Sequence, residues 1–208
     1  MLFFWAGLIF FLVAGKAATF LYLNPYHRSP LDLFFTNYTY LGDGLFAVAI
    51  ILVLLALRRY RQASEVLTAF LLSALLAQIL KNVFSMPRPR EFFNQGQYIG
   101  PYGNFIEGVT LRGFSSFPSG HSTSVFALVT LLGIFEPNKK LNVLYLFAAV
   151  AVGYSRIYLG QHFLGDVLAG SLIGVVVAVL VHWLFSEKLQ SFARRGDRAG
   201  RADAPGKQ

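Results

Sequence analysis

Apolar runs bracketed by charges recur along this chain near residues 2–23, 40–57, 66–84, 121–135, 141–157 and 164–185, and they restrict its fold more than any other feature. A membrane span needs about 20 apolar residues, with a range of roughly 17–25. The first and last runs meet this, although Lys16 interrupts the first. The fourth is short, because Ser122 to Phe135 gives only 14 uncharged residues. No polar face accompanies these runs, as an amphipathic soluble helix would require. Composition agrees: 13% of the 208 residues are charged and 55% hydrophobic, whereas a soluble domain is about 25% charged. The chain cannot give a globule of this size a charged skin. With no cysteine, disulfides, thiolate-held metals and cysteine nucleophiles are excluded.

The expectation is an all-α polytopic membrane protein with six transmembrane helices in a bundle, forming one domain over residues 1–186. The start, Met-Leu-Phe-Phe-Trp, lacks the basic n-region of a signal peptide, so the first helix is expected to be retained. Residues 187–208 are polar, basic and rich in Gly and Ala, and are read as a disordered cytoplasmic tail. Their charge suits anionic lipid rather than nucleic acid. Eleven bases lie on one side of the spans (Arg58, Arg59, Arg61, Lys139, Lys140, Lys188, Arg194, Arg195, Arg198, Arg201, Lys207). Six lie on the other: Arg28, Lys81, Arg88, Arg90, Arg112, Arg156. The positive-inside rule then puts both termini in the cytoplasm and residues 24–39, 85–120 and 158–163 outside.

The outward bases are oddly placed. Lys81 ends the third run, Arg88 follows in Met-Pro-Arg-Pro-Arg, and the fourth run opens with Pro118-Ser119-Gly120-His121. Between the last two lies Ser155-Arg156-Ile157-Tyr158-Leu159-Gly160-Gln161-His162-Phe163-Leu164-Gly165-Asp166. Ionisable groups at a bilayer edge are costly, so together they mark a functional site. Lys81, Arg88 and Arg156 converge there with a Ser-Gly-His turn at a helix N-terminus, whose N–H groups and dipole favour an anion. Ser119 can cap that helix, and Gly120 lets a ligand approach the backbone. Arginine's planar fork matches phosphate oxygens.

His162 and Asp166 are four residues apart, and on a helix that spacing places them on one face. The carboxylate can fix the imidazole tautomer and leave the other nitrogen free as a nucleophile. His121 supplies a second imidazole as general acid. Phosphoryl transfer through a phosphohistidine fits this set. Two His and an Asp can also hold zinc or iron, but three neighbouring cations oppose a divalent ion, so no metal is expected.

Lys81-x6-Arg88-Pro89, Pro118-Ser119-Gly120-His121 and Ser155-Arg156-x5-His162-x3-Asp166 resemble the three signatures of the type 2 phosphatidic acid phosphatase (PAP2) superfamily, with no departure at a signature position. The resemblance covers residues 81–166 and implies a PAP2/haloperoxidase-like core without cofactor or metal. It implies His162 as nucleophile, Asp166 as its orienting partner and His121 as proton donor to the leaving oxygen. Lys81, Arg88, Ser119, Gly120 and Arg156 would hold the phosphoryl group. The expected partner is a membrane lipid phosphate, with no nucleic acid involved and a monomer favoured. The expected place is a bacterial inner membrane with the site on its outer face. Undecaprenyl diphosphate heads the substrates by analogy, ahead of phosphatidylglycerol phosphate, phosphatidate and lipid A phosphates. A phosphotransferase and a lipid or anion transporter are the rivals.

Weaker signals carry two readings. The loop 91–117 holds Phe92, Phe93, Tyr98, Tyr102, Phe105, Phe114 and Phe117, which suit an aromatic belt or a lid. Gly170 and Gly174 suit close helix packing inside the bundle rather than dimerisation. Asp43 is expected at the interface, Lys16 is expected to snorkel, and His27 and His182 receive no role.

Overall fold

The computed structural model describes residues 2–24, 27–95, 105–106 and 113–202, with side chains among them over 4–187. Eight α-helices follow one another among these residues: α1 Leu2–Leu23, α2 Ser29–Tyr38, α3 Gly44–Ala56, α4 Tyr60–Phe84, α5 Pro89–Asn94, α6 Gly120–Phe135, α7 Lys139–Tyr158 and α8 Leu164–Ala202. A single 3-10 turn, Thr39–Gly42, joins α2 to α3. Local chemistry sets several ends. Proline in the first turn starts α2 and α5, where its missing N–H costs nothing. The Asn138 side chain accepts from Lys140 N at 3.0 Å and caps α7.

The molecule is apolar on the outside. Leu12, Val13, Leu45, Leu52, Leu75, Val83, Leu144, Leu180 and Trp183 are exposed, the surface a bilayer solvates and water does not. Four stretches, Phe4–Leu23, Tyr60–Asn94, Lys139–Tyr158 and Leu164–Glu187, are long and apolar enough to cross a membrane. The α2–turn–α3 pair, bent by 54°, makes a fifth if it is one broken span. The chain is a multi-pass membrane protein, and six spans exceed what length and composition give. The second expected run is interrupted at Gly42 and Asp43, leaving α3 with 13 residues. The fourth run is α6, whose 16 residues reach only about 24 Å against a hydrocarbon core of about 30 Å. Residues 24–39, expected as a loop, contain α2.

Helix α6 is central, packing on α8, α4, α7 and α3. At the end away from its N-terminus, Leu128 and Leu131 of α6 join Ile51, Leu54, Val66 and Val181 in one cluster. A second cluster at the other end gathers Phe20, Phe93, Ile157, Phe163 and Val167. Phe93, expected in a belt or lid, is fully buried there; Tyr98 and Tyr102 lie outside the described residues. His182 Nδ1 and Arg61 Nε each stand 2.7 Å from the fully buried Glu65 carboxylate, tying α8 to α4. Helix α8 runs on to Ala202, into the segment that composition alone left without structure. Its Ala, Arg, Lys and Gln are adequate helix formers, and extending an existing helix needs no new nucleus. Residues 203–208 lie outside the described residues.

The Gly170 and Gly174 pair explains the α6–α8 seam. A Cβ on Gly170 would sit 2.5 Å from the Ser119 carbonyl oxygen, and one on Gly174 would be 2.8 Å from Ala127 N. The helices touch backbone to backbone, which only glycine permits. Gly174→Leu should therefore force the helices apart. Overpacking costs about 1–3 kcal/mol, so the detergent-solubilised variant should unfold at least several degrees lower in a thermal-shift measurement. An unchanged Tm would contradict the seam.

Candidate active site

The α7–α8 connection builds the centre of the site. Gly160 takes a left-handed φ of 64°. Gln161 N donates to Arg156 O at 2.9 Å and Gly160 N to Ile157 O at 3.0 Å, the paired bonds of a Schellman motif. The chain doubles back, and His162 N also donates to Arg156 O at 3.1 Å. This turn, rather than a helical face, places His162 over Arg156. Helix α8 begins only at Leu164, so His162 and Asp166 do not share a helix as their spacing suggested. They still meet, with His162 Nδ1 3.6 Å from Asp166 Oδ2 and both side chains buried.

Asp166 is held from three sides. Its Oδ2 accepts from Phe163 N at 3.0 Å, the reach-back half of a capping box. Ser116 Oγ donates to the same oxygen at 2.5 Å. The Asp166 carbonyl accepts from Ser119 N at 2.9 Å, which fastens α8 to the turn that starts α6. Ser119 is fully buried and caps α6, accepting from Ser122 N at 3.4 Å.

The cations gather around this pair. Arg88 Nη1 donates to Gln161 Oε1 at 2.7 Å and to the Gln161 carbonyl at 3.2 Å, and its Nε donates to Phe114 O. Arg156 Nη1 donates to Thr39 Oγ1 at 2.8 Å, while its buried Nε has no partner among the described residues. Lys81 comes from the last turn of α4, and a Cβ on Gly120 would stand 3.3 Å from its Nζ. His121 lies within electrostatic reach of Arg156, His162, Lys81 and Arg88. Gly42 lets the 3-10 turn press on this residue, because a Cβ there would lie 2.9 Å from His121 Cβ. The eight residues expected from the sequence thus share one site.

Others were missed. Ser116, Thr39 and Gln161 hold Asp166, Arg156 and Arg88 respectively. Gln161 adjoins His162 and Ser116 lies two residues before Pro118 of the Pro-Ser-Gly-His turn, so proximity was a usable signal. Thr39 gave none. Lys16 does not simply snorkel: its Nζ sits 4.2 Å from the Phe163 ring centroid and 5.0 Å from that of Phe92, where a cation meets a π face. Beside α2, Tyr158 Oη donates to Asp32 at 2.6 Å and His27 Nδ1 lies 3.1 Å from the same oxygen.

A pocket of about 190 Å³ opens from His121 and Lys81 between α3, α4 and α6. Asp43, Gln78 and Ser124 line it, and none of His162, Arg88 and Arg156 does.

Fold and site define a multi-pass helical membrane protein that surrounds a buried imidazole with cationic side chains. The chain belongs to the PAP2 superfamily, which residues 62–190 match. It is 32% identical over 182 residues to phosphatidylglycerophosphatase B of Bacillus subtilis, covering 81% of this chain and 82% of that protein. To a lipid A 1-phosphatase of Rhizobium johnstonii it is 31% identical over 115 residues, 55% of this chain and 44% of the other. The chain thus spans less than half of that relative's length. An undecaprenyl-diphosphatase of Sulfolobus acidocaldarius matches at 31% over 129 residues, 62% of this chain and 58% of that one. The crystal structure of Aquifex aeolicus LpxE superposes with a TM-score of 0.69 at 28% identity, over 80% of this chain and 93% of that one.

Burial holds the His162 imidazole well below the ordinary histidine range, at about 4. Asp166 pulls it up, and Arg88 and Arg156 push it further down. The neutral form therefore persists well below pH 6.5. In a ¹⁵N-histidine NMR titration of the solubilised protein, the His121 and His162 imidazoles should both stay neutral at pH 5.5, and the His162 signal should vanish in His162→Gln. Protonation of that signal near pH 6.5 would contradict the burial.

Proposed function

We propose that this chain is a membrane lipid phosphatase that hydrolyses a terminal phosphate through a covalent phosphohistidine. The observation that carries this reading is a buried His162, neutral at pH 7, beside Asp166, with Arg88, Arg156 and His121 around it and Lys81 on the far side of His121. His162 is the nucleophile: its Nδ1 faces Asp166, so Nε2 carries the lone pair that attacks phosphorus. At 3.6 Å the two groups stop short of a hydrogen bond, and His162 Nδ1 has no other partner among the described residues. Closing that gap on substrate binding lets Asp166 fix the tautomer and stabilise the imidazolium formed on attack. Lys81, Arg88 and Arg156, with the Ser119–Gly120 turn, hold the phosphoryl oxygens as charge builds on them. Burial and the surrounding cations hold the free His121 imidazole well below the ordinary histidine range, so His121 takes up its proton only once a phosphate dianion is bound beside it, and it gives that proton to the departing oxygen. It then takes one from the water that cleaves the phosphorus–nitrogen bond, which returns His162 and releases phosphate.

Fixed cations supply the electrostatic stabilisation, so the reaction needs no metal. With six alternating spans the charge balance of the loops favours both termini inside and the site outside, and a bacterial inner membrane accords with the Bacillus subtilis relative. The relatives' names divide among lipid A, phosphatidylglycerophosphate and undecaprenyl diphosphate. The substrate is a lipid phosphate or diphosphate of that range.

Phosphate release from lipid substrates in detergent, with EDTA present, tests the mechanism. His162→Ala should fall to background and Asp166→Asn by about 10²-fold or more. Ser116→Ala loses one hydrogen bond to a charged group, which should cost about 10- to 100-fold. Near-normal release from His162→Ala, or a requirement for added zinc or magnesium, would overturn it.

General acid assistance is worth about 10²–10⁴-fold. His121→Ala should lose that much on an alkyl monophosphate but far less on p-nitrophenyl phosphate, whose leaving group departs unaided. Single-turnover rates make the comparison on the bond-breaking step. Equal losses would leave His121 as a phosphate ligand only.

A further inference from the structure

The pocket beside His121 has a direction. In phosphoryl transfer the attacking and leaving atoms lie roughly in line across phosphorus. The nucleophile proposed above is His162, and the pocket touches His121 and Lys81 without touching His162, Arg88 or Arg156. It therefore lies on the side where a leaving group protonated by His121 must emerge. From there it descends along two helices. Gln78 is nearly one turn below Lys81 on α4, and Ser124 nearly one turn below His121 on α6. Phe70 lines it about 16 Å down α4 from Lys81.

The layer under His121 is polar, and only the deeper part is apolar. Asp43 enters this layer from the break between the 3-10 turn and α3. It stands at the N-cap of α3, its side chain makes no capping bond, and it lies within electrostatic reach of Arg156. Together the three groups offer a carboxylate acceptor, an amide and a hydroxyl. Gln78 is exposed and donates to Asn82 Oδ1 at 3.1 Å, so the half-buried Asp43 and Ser124 are the groups that a hydrocarbon next to the scissile oxygen would leave unpaired. A second phosphate in the same place would meet the Asp43 carboxylate, and like charges repel, while Lys81 at the mouth of the pocket is engaged by the phosphoryl group being transferred.

Resting on the phosphatase reading above, we propose that this pocket is a leaving-group subsite for an uncharged group with hydroxyls within a few atoms of the scissile oxygen, such as a glycerol or a sugar, followed by hydrocarbon. Asp43 is its main specificity determinant. A phosphomonoester on a hydroxylated lipid is then preferred to a polyprenyl diphosphate, which reverses the substrate order expected by analogy.

The test compares kcat/KM for four probes: a lysophosphatidate, lipid A 1-phosphate, farnesyl monophosphate and farnesyl diphosphate. The wild-type protein should favour the two hydroxylated probes over both farnesyl compounds. Loss of a hydrogen bond to a charged acceptor is worth about 10- to 100-fold. Asp43→Ala should lower the ratio of hydroxylated probe to farnesyl monophosphate by that factor and raise relative activity on the diphosphate. Asp43→Asn removes the charge and keeps hydrogen bonding. It should relieve the diphosphate penalty while keeping most of the preference for hydroxyls. A wild-type preference for farnesyl diphosphate, or equal losses on all four probes in Asp43→Ala, would overturn the subsite. p-Nitrophenyl phosphate separates the two levels, because its leaving group makes no demand on the pocket. Release from that compound without the expected preferences sinks the subsite alone. No release from any of the five sinks the phosphatase reading beneath it.

Discussion

Asp166 is where the two halves of the site are fastened together. One carboxylate oxygen receives Ser116 Oγ and Phe163 N, and faces His162 Nδ1. The carbonyl of the same residue receives Ser119 N. The start of α8 is thus joined to the Ser116–Ser119 segment that launches α6, and His162 is carried in the short link between α7 and α8. A carboxylate buried in this way is tolerable only because its lone pairs are occupied and cations surround it.

That fastening depends on the seam below it. Gly170 and Gly174 let α8 lie directly on the α6 backbone, so the first turn of α8 comes within hydrogen-bond distance of Ser119. In a bilayer no hydrophobic force pulls the two helices together, and close packing has to do it. Two further ties serve the same geometry. Thr39 of the 3-10 turn holds Arg156, and Gly42 of that turn seats against His121. A break inside an apolar run therefore supplies part of the support for the site and also presents Asp43 to the pocket.

The charge distribution follows from the same economy. Lys81, Arg88 and Arg156 would repel one another around an empty centre, and Arg88 is restrained by neutral acceptors, the Gln161 amide and two carbonyls. Neutral acceptors hold a guanidinium in place without cancelling its charge, so its field stays available to an anion. Burial also keeps His162 unprotonated, which prevents the nucleophile from becoming another cation in the ring.

Much of this was legible in the sequence. Apolar runs made the chain helical and membrane-embedded because no other backbone arrangement with those side chains satisfies its polar groups in lipid. Lys81, Arg88, Ser119, Gly120, His121, Arg156, His162 and Asp166 stood out because charge at a bilayer edge needs a reason, and the Gly170–Gly174 spacing announced a close helix contact. Tertiary structure decided the rest. The His162–Asp166 contact arises from a glycine turn and a helix start, although four-residue spacing suggested a shared helical face. Span number depended on where helices break, and a run of apolar letters conceals a break at Gly42. Thr39, Ser116 and Gln161 act across 117, 50 and 73 residues of chain. Gln161 and Ser116 at least adjoin motif residues, whereas Thr39 leaves no local pattern, because only the packed bundle brings it to Arg156.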